Sequence, residues 1–240
     1  MALVEIGASP ETRERRFFVI MAFVFAATII AGFGSWSLRG MVVYPVPPLV
    51  HLHGAIFLSW LALFITQTSL MQQRATKLHR RVGWFSLLLA SAMVVIGTLT
   101  ALESVALKRV PPFFPEGIFL ALSFIELFCF AALVIAAIAM RRRTDWHRRL
   151  MLGSMFMLMG PAWGRVLPMM ALGPFGGLVI MAILLVGYLG VAVCFDLYNR
   201  GRLHPAYAIV ALAIIIEGVA PGPVGMTPPF IKLAAMLKPL

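Results

Sequence analysis

The chain has 240 residues, of which 61% are hydrophobic and 12% charged, with a mean hydropathy of +0.96. An ordinary soluble domain is about 45–50% apolar and about 25% charged. So much apolar surface excludes a single soluble core, and it excludes a disordered chain, which is poor in hydrophobics. The solvent of this protein is partly lipid.

Seven apolar runs are each long enough to cross a bilayer, which takes about 20 residues for about 30 Å of hydrocarbon. In chain order they cover about 17–36, 49–71, 82–101, 117–140, 150–171, 177–197 and 205–219. The expected fold is therefore all-α, a polytopic bundle of seven transmembrane helices in one domain. The first run is longer than a signal-peptide core and lacks a good A-x-A site, so it reads as a retained span. Pro48 and Pro205 fall near first-turn positions, where a missing N–H costs little. Thr76 and Thr144 are placed to cap spans three and five. Gly173-Pro174 and Gly176-Gly177 separate spans five and six. After Pro228-Pro229, residues 228–238 read as a short interfacial helix, too short to cross.

The net charge of +11 is explained by position. Fourteen of the 20 Lys and Arg lie before span one or after spans two, four and six. Five lie on the opposite side, and Arg165 lies inside span five. The positive-inside rule then gives a cytoplasmic N-terminus and an outer C-terminus. No nucleic-acid partner is needed to account for the charge. Cys129 and Cys194 sit in apolar runs without a C-x-x-C motif, so neither a disulfide scaffold nor a cysteine zinc site is indicated.

Thr76-Lys77-Leu78-His79-Arg80-Arg81 is echoed by Thr144-Asp145-Trp146-His147-Arg148-Arg149, 68 residues later. A weaker copy is Arg202-Leu203-His204-Pro205. Each opens an outward-running span, as either duplication of a two-helix unit or convergent basic turns that reach lipid phosphates would leave it. His79, His147 and His204 are thereby candidate metal or haem ligands at the inner edge.

The outer half offers a different constellation. His53, Trp60 and Gln67 recur at spacing seven down span two. His147, Ser154, Leu158, Pro161 and Arg165 follow one stripe of span five, which Gly160-Pro161 interrupts. Arg165 lies about 24 Å from the inner edge at 1.5 Å per residue, and an intramembrane charge is a functional candidate by default. Glu126 in span four and Glu217 in span seven reach mid-depth and need a partner or a proton. An outer polar pocket of His53, Glu126, Arg165 and Glu217 is the expected site. His147 joins these four as a candidate cofactor-binding residue. Asp196, near Tyr198 and Arg200, reads as a local ion pair at the inner interface.

The segments His51-Leu52-His53-Gly54, Leu78-His79-Arg80-Arg81-Val82-Gly83 and Trp146-His147-Arg148-Arg149-Leu150-Met151 resemble a broad group of bacterial multi-pass membrane proteins with helix-end LHRR and WHRR motifs. Gly160-Pro161-Ala162-Trp163-Gly164-Arg165 and Gly201-Arg202-Leu203-His204-Pro205 extend the likeness over about residues 45–210. No activity is assigned to that group. The helix-end histidines are also distantly similar to those of b561-type haem cytochromes, which implies haem b between histidines of different helices. The chain departs from that pattern on the outer side, where both histidines fall on span two.

No phosphate-binding loop, dinucleotide fingerprint, H-E-x-x-H or G-x-S-x-G motif is present, and span seven has no lysine for a retinal Schiff base. The leading expectation is a protein that binds a cofactor or a small lipophilic or ionic ligand at an intramembrane polar site, with haem b or a metal ion as candidates. A small proton-coupled transporter, a membrane enzyme acting on a lipid or quinone, and a scaffold subunit are the alternatives.

Overall fold

A computed structural model describes residues 9–238. Among them there is no strand, and ten helices follow in order: α1 (Pro10–Leu38), α2 (Pro48–Gln72), α3 (Thr76–Ala106), α4 (Glu116–Ala139), α5 (Thr144–Met157), α6 (Gly160–Val166), α7 (Met169–Arg200), α8 (Ala206–Val219), α9 (Pro221–Gly225) and α10 (Pro228–Met236). Five helices are long and apolar enough to cross a membrane: α1, α2, α3, α4 and the Phe175–Arg200 part of α7. The surface is apolar around the bundle, with Trp84, Phe85 and Leu88 of α3 and Ile183 of α7 turned outward. Such a surface suits lipid and not water.

Runs five and seven are segmented, which is why they are absent from the five. Run five ends as a helix at Met157, where Leu158 and Met159 turn back to the carbonyls of Met155 and Phe156. It resumes at Gly160 with Pro161 in the first turn, where no N–H is needed. It stops at Val166, short of the expected residue 171, because Pro168 cannot continue it. The run of α7 then contains Gly173 at φ 67°, a left-handed conformation that divides the helix before its long apolar part. Run seven is α8, 14 residues and about 21 Å long at 1.5 Å per residue, followed by the short α9.

Several local expectations need correction. Thr76 and Thr144 are the first helical residues, while Ala75 and Arg143 hold the cap positions without a side-chain cap bond. A threonine already inside the helix does not aim its hydroxyl at the N2 and N3 amides. Pro48 does occupy the first turn of α2, but Pro205 sits one position earlier, at the cap of α8. Helix α1 begins two turns before its apolar run, at Pro10, with the Ser9 hydroxyl accepting from the Thr12 amide. The tail helix α10 packs against α4 through Phe230 and Phe124, and Lys238 pairs with Glu116 at 2.8 Å.

The core is formed where α1, α4, α5, α7 and α8 meet, around Phe25, Phe130, Phe156 and Tyr188. Helix α4 is central, touching α3, α5, α8, α9 and α10. Two contacts are closer than any side chain allows. A methyl on Gly32 of α1 would lie 2.4 Å from the Ala162 carbonyl oxygen of α6, and one on Gly117 of α4 2.3 Å from that of Gly225 in α9.

Candidate polar site at the broken helix

The break between α5 and α6 brings backbone to the two membrane acids. A methyl on Gly160 would lie 3.5 Å from a Glu217 oxygen and 3.9 Å from a Glu126 oxygen. Both carboxyls are buried, and each lies in the field of the other. Arg165, one turn beyond the break, is within electrostatic reach of both Glu126 and His53. Glu126 of α4 and Glu217 of α8 therefore meet at the break, with Arg165 of α6 near enough to be felt electrostatically by Glu126 and by His53 of α2.

Arg165 is held by aromatic and backbone groups of the protein's own. Its guanidinium lies 4.0 Å from the centre of the Phe33 ring and 5.9 Å from that of Trp36, and it donates to the Pro161 carbonyl at 2.8 Å. Arg39 donates to the Arg165 carbonyl and also stacks on Trp36. A cation over an aromatic face in a water-poor site is stabilised by the ring quadrupole. On α2, His53 stacks on Phe57 at 4.1 Å and Trp60 is buried edge-on against Phe130.

The hydrogen-bonding of this region is incomplete. His53 Nδ1, Trp60 Nε1, Trp163 Nε1 and Glu217 Oε2 are buried with no partner among the described residues. Unpartnered buried polar atoms cost about 1–3 kcal/mol each and call for a water, an ion or a ligand. Sequence reasoning missed Cys129, which is buried, lies one turn from Glu126 on α4, and feels the charge of both Glu126 and Glu217. Its spacing of three from Glu126 was the available signal.

His147 does not belong to this group. Its Nδ1 donates to the Ala137 carbonyl at 2.8 Å, and Ala137 is 11 residues, about 16 Å, along α4 from Glu126. Instead it meets His79, the matching residue of the echoed motif, with ring centroids 6.3 Å apart. Burial holds the His147 imidazole below its ordinary range. Gln67 reaches the same end, donating to the His79 carbonyl at 3.3 Å. His204 is engaged elsewhere, with Nε2 3.0 Å from Asp145 Oδ2 and Nδ1 accepting from the Ala206 amide. Its hydrogen bond holds the Asp145 carboxyl below the usual range. Among the described residues, no group of three or more His, Cys, Asp or Glu is placed to hold a metal ion.

The end of the bundle near the start of α1 also holds an ion network that the sequence reading dispersed. Arg149, with no exposed surface, donates to both oxygens of Asp196 at 2.7 and 2.6 Å and to Glu14 at 2.9 Å. Arg148 and Arg200 close on the same Glu14 at 2.8 and 2.6 Å. Asp196 is thus tied across helices to Arg149, and Arg200 pairs with Glu14 and not with Asp196. Burial pulls the Arg148 guanidinium down to about 10, with the charge of Glu14 opposing that shift. The network joins α1, α5 and α7. The signal was the single acid within Arg13-Glu14-Arg15-Arg16.

No family model matches the chain, and no curated protein or solved structure is detectably similar to it.

Proposed function

We propose that this is a seven-span protein of the bacterial cytoplasmic membrane that binds a small cationic or proton-donating ligand at the site formed by His53, Glu126, Arg165 and Glu217. The seven crossings count α5 with α6, and α8 with α9, as two broken spans beside the five long helices. The 14-to-5 division of basic residues supports an inner N-terminus.

One observation carries the reading: two buried carboxyls flank the helix break with a single arginine in reach. Two like charges in one dry site cannot both stand against one cation. Charge balance leaves one carboxyl for a proton or a cationic ligand. The unpartnered Glu217 Oε2 is the acceptor it would meet. Thermal unfolding of the purified protein with sodium, tetraethylammonium, acetate and inorganic phosphate as probes tests this. Cations stabilise, anions do not, and Glu126→Gln and Glu217→Gln each abolish the cation response. A response confined to anions, or one that survives both variants, refutes the site. Broken helices meeting at buried ionisable groups are also how carriers bind their ions, so proton-coupled transport is the natural extension.

A second reading, haem b or a metal ion at the inner edge, rests on the paired His79 and His147. With Nδ1 committed to Ala137, His147 keeps its Nε2 lone pair for a ligand, the arrangement that orients metal-binding histidines. His204 would not contribute. An absorbance spectrum and metal analysis of the purified protein decide this reading separately from the outer site.

A further inference from the structure

Three of the unpartnered buried polar atoms fall in one line on α2: His53 Nδ1, Trp60 Nε1 and Gln67 Oε1. A fourth, His79 Nδ1, continues the line in the first turn of α3. Residues 53, 60 and 67 share a helix face and step about 10 Å at a time. Off that face, Ser59, Thr66 and Thr68 donate their hydroxyls to carbonyls of α2 itself. Polar groups within a membrane span find no bulk water, so a line of open positions along one marks a route for bound water.

The line faces α4. Trp60 meets Phe130 with ring centroids 5.1 Å apart, and Phe130 is one turn beyond Glu126. Seven residues further along α2, Gln67 donates to the His79 carbonyl, and His79 meets His147. Seven residues beyond Phe130 on α4, the Ala137 carbonyl holds that same His147. Two separate sets of contacts thus give α2 and α4 the same step in the same direction. The line passes the level of Glu126, whose neighbour Glu217 also keeps an open oxygen, and ends at the two imidazoles.

We propose that Trp60 and Gln67 hold a row of water between the Glu126–Glu217 pair and the His79–His147 pair, and that protons cross the protein along it. This deepens the proposed acid site and rests on one of its carboxyls carrying a proton. About three waters in hydrogen-bond contact span each step of about 10 Å. The indole N–H of Trp60 only donates, so it orients a water and carries no proton. The Gln67 oxygen only accepts, so it turns the neighbouring water the other way. At the acid end a carboxyl O–H bond breaks and its proton joins the first water. At the other end the last water gives a proton to the open nitrogen of His79, and the half-buried imidazolium releases one to solvent. His53, at the far end of the line, returns a proton to the carboxylate. One proton enters for each that leaves, and nothing is oxidised or reduced.

The full chain in phosphatidylcholine vesicles tests this, with an entrapped pH dye and a potassium gradient with valinomycin as the drive. The parent passes protons faster than protein-free vesicles. Gln67→Leu lowers that flux at least about tenfold, and Trp60→Phe, which keeps a ring on Phe130, lowers it about threefold. Gln67→Glu keeps an acceptor oxygen and restores most of the flux, which separates a broken row from a misfolded protein. Thr66→Val, off the line, leaves the flux unchanged. Flux that Gln67→Leu leaves intact, a loss that Gln67→Glu does not repair, or an equal loss in Thr66→Val overturns the row. A parent that responds to cations in thermal unfolding but passes no protons keeps the acid site and overturns the row. Proton flux without a cation response keeps the row and overturns the cation reading, and the absence of both responses overturns both.

Discussion

Replacing Arg149 with Ala removes the only described cation bonded to Asp196 while leaving that carboxylate 1% exposed. Glu14 keeps Arg148 and Arg200, so the loss concentrates on Asp196 and on the Asp145 carbonyl that Arg149 also caps. Breaking a buried ion pair from one side costs about 3–5 kcal/mol. At about 2–4 °C per kcal/mol for a chain of this size, the unfolding midpoint falls by about 6–20 °C. Tryptophan emission during heating in detergent measures it. Arg149→Lys recovers only part, because an ammonium cannot fork to Asp196 while reaching Glu14. Arg149→Met combined with Asp196→Leu recovers most of the loss, since an apolar pair carries no stranded charge. An Arg149→Ala protein within about 1 kcal/mol of the parent, or a double variant as unstable as the single, refutes the assignment of this network as the tie between α1, α5 and α7.

Gly32→Ala forces α1 away from α6, because the added methyl meets Ala162 backbone that cannot rotate aside. A loss of about 1–3 kcal/mol is expected, with a weaker cation response, since the same contact holds Phe33 under Arg165. Gly54→Ala, which meets nothing within 4 Å, leaves both unchanged. A further test is the pH dependence of stability. The folded protein binds a proton at His147 less readily than the unfolded chain, whose imidazole has its ordinary value of 6.5. Its contribution is therefore present above that value and lost as pH falls below it. His79 across the pair and the Ala137 carbonyl are the polar groups facing it. Unfolding midpoints between about pH 8 and pH 5 fall more steeply in the parent than in His147→Gln, and parallel curves contradict the reasoning.

The apolar runs made the helices legible, because composition of that kind has one stable form in lipid. Span five was legible only as a length. Its break was foreseen at Gly160-Pro161, yet the helix already ends at Met157, and Arg165 reaches the site from a separate short segment. Depth along each run brought His53, Glu126, Arg165 and Glu217 into the outer half, between mid-depth and the outer edge. That their faces converge depends on helix rotations, which one sequence does not encode. Arg148, Arg149 and Asp196 were misread for a related reason. A charge at a helix end has the same sequence signature whether it faces solvent or a partner helix. Only the packing of α1 against α5 and α7 turns these three into a buried network.

On the proposed function, one carboxyl of the Glu126–Glu217 pair is neutralised by a proton when no cation is bound. Infrared difference spectra of the parent against Glu126→Gln and Glu217→Gln, in light and heavy water near neutral pH, read that proton directly. A protonated-carboxyl stretch that shifts on deuteration and disappears in at least one of the two variants is the expected result. Spectra in which both variants lose only carboxylate bands, with no carboxylic-acid band in the parent, contradict it.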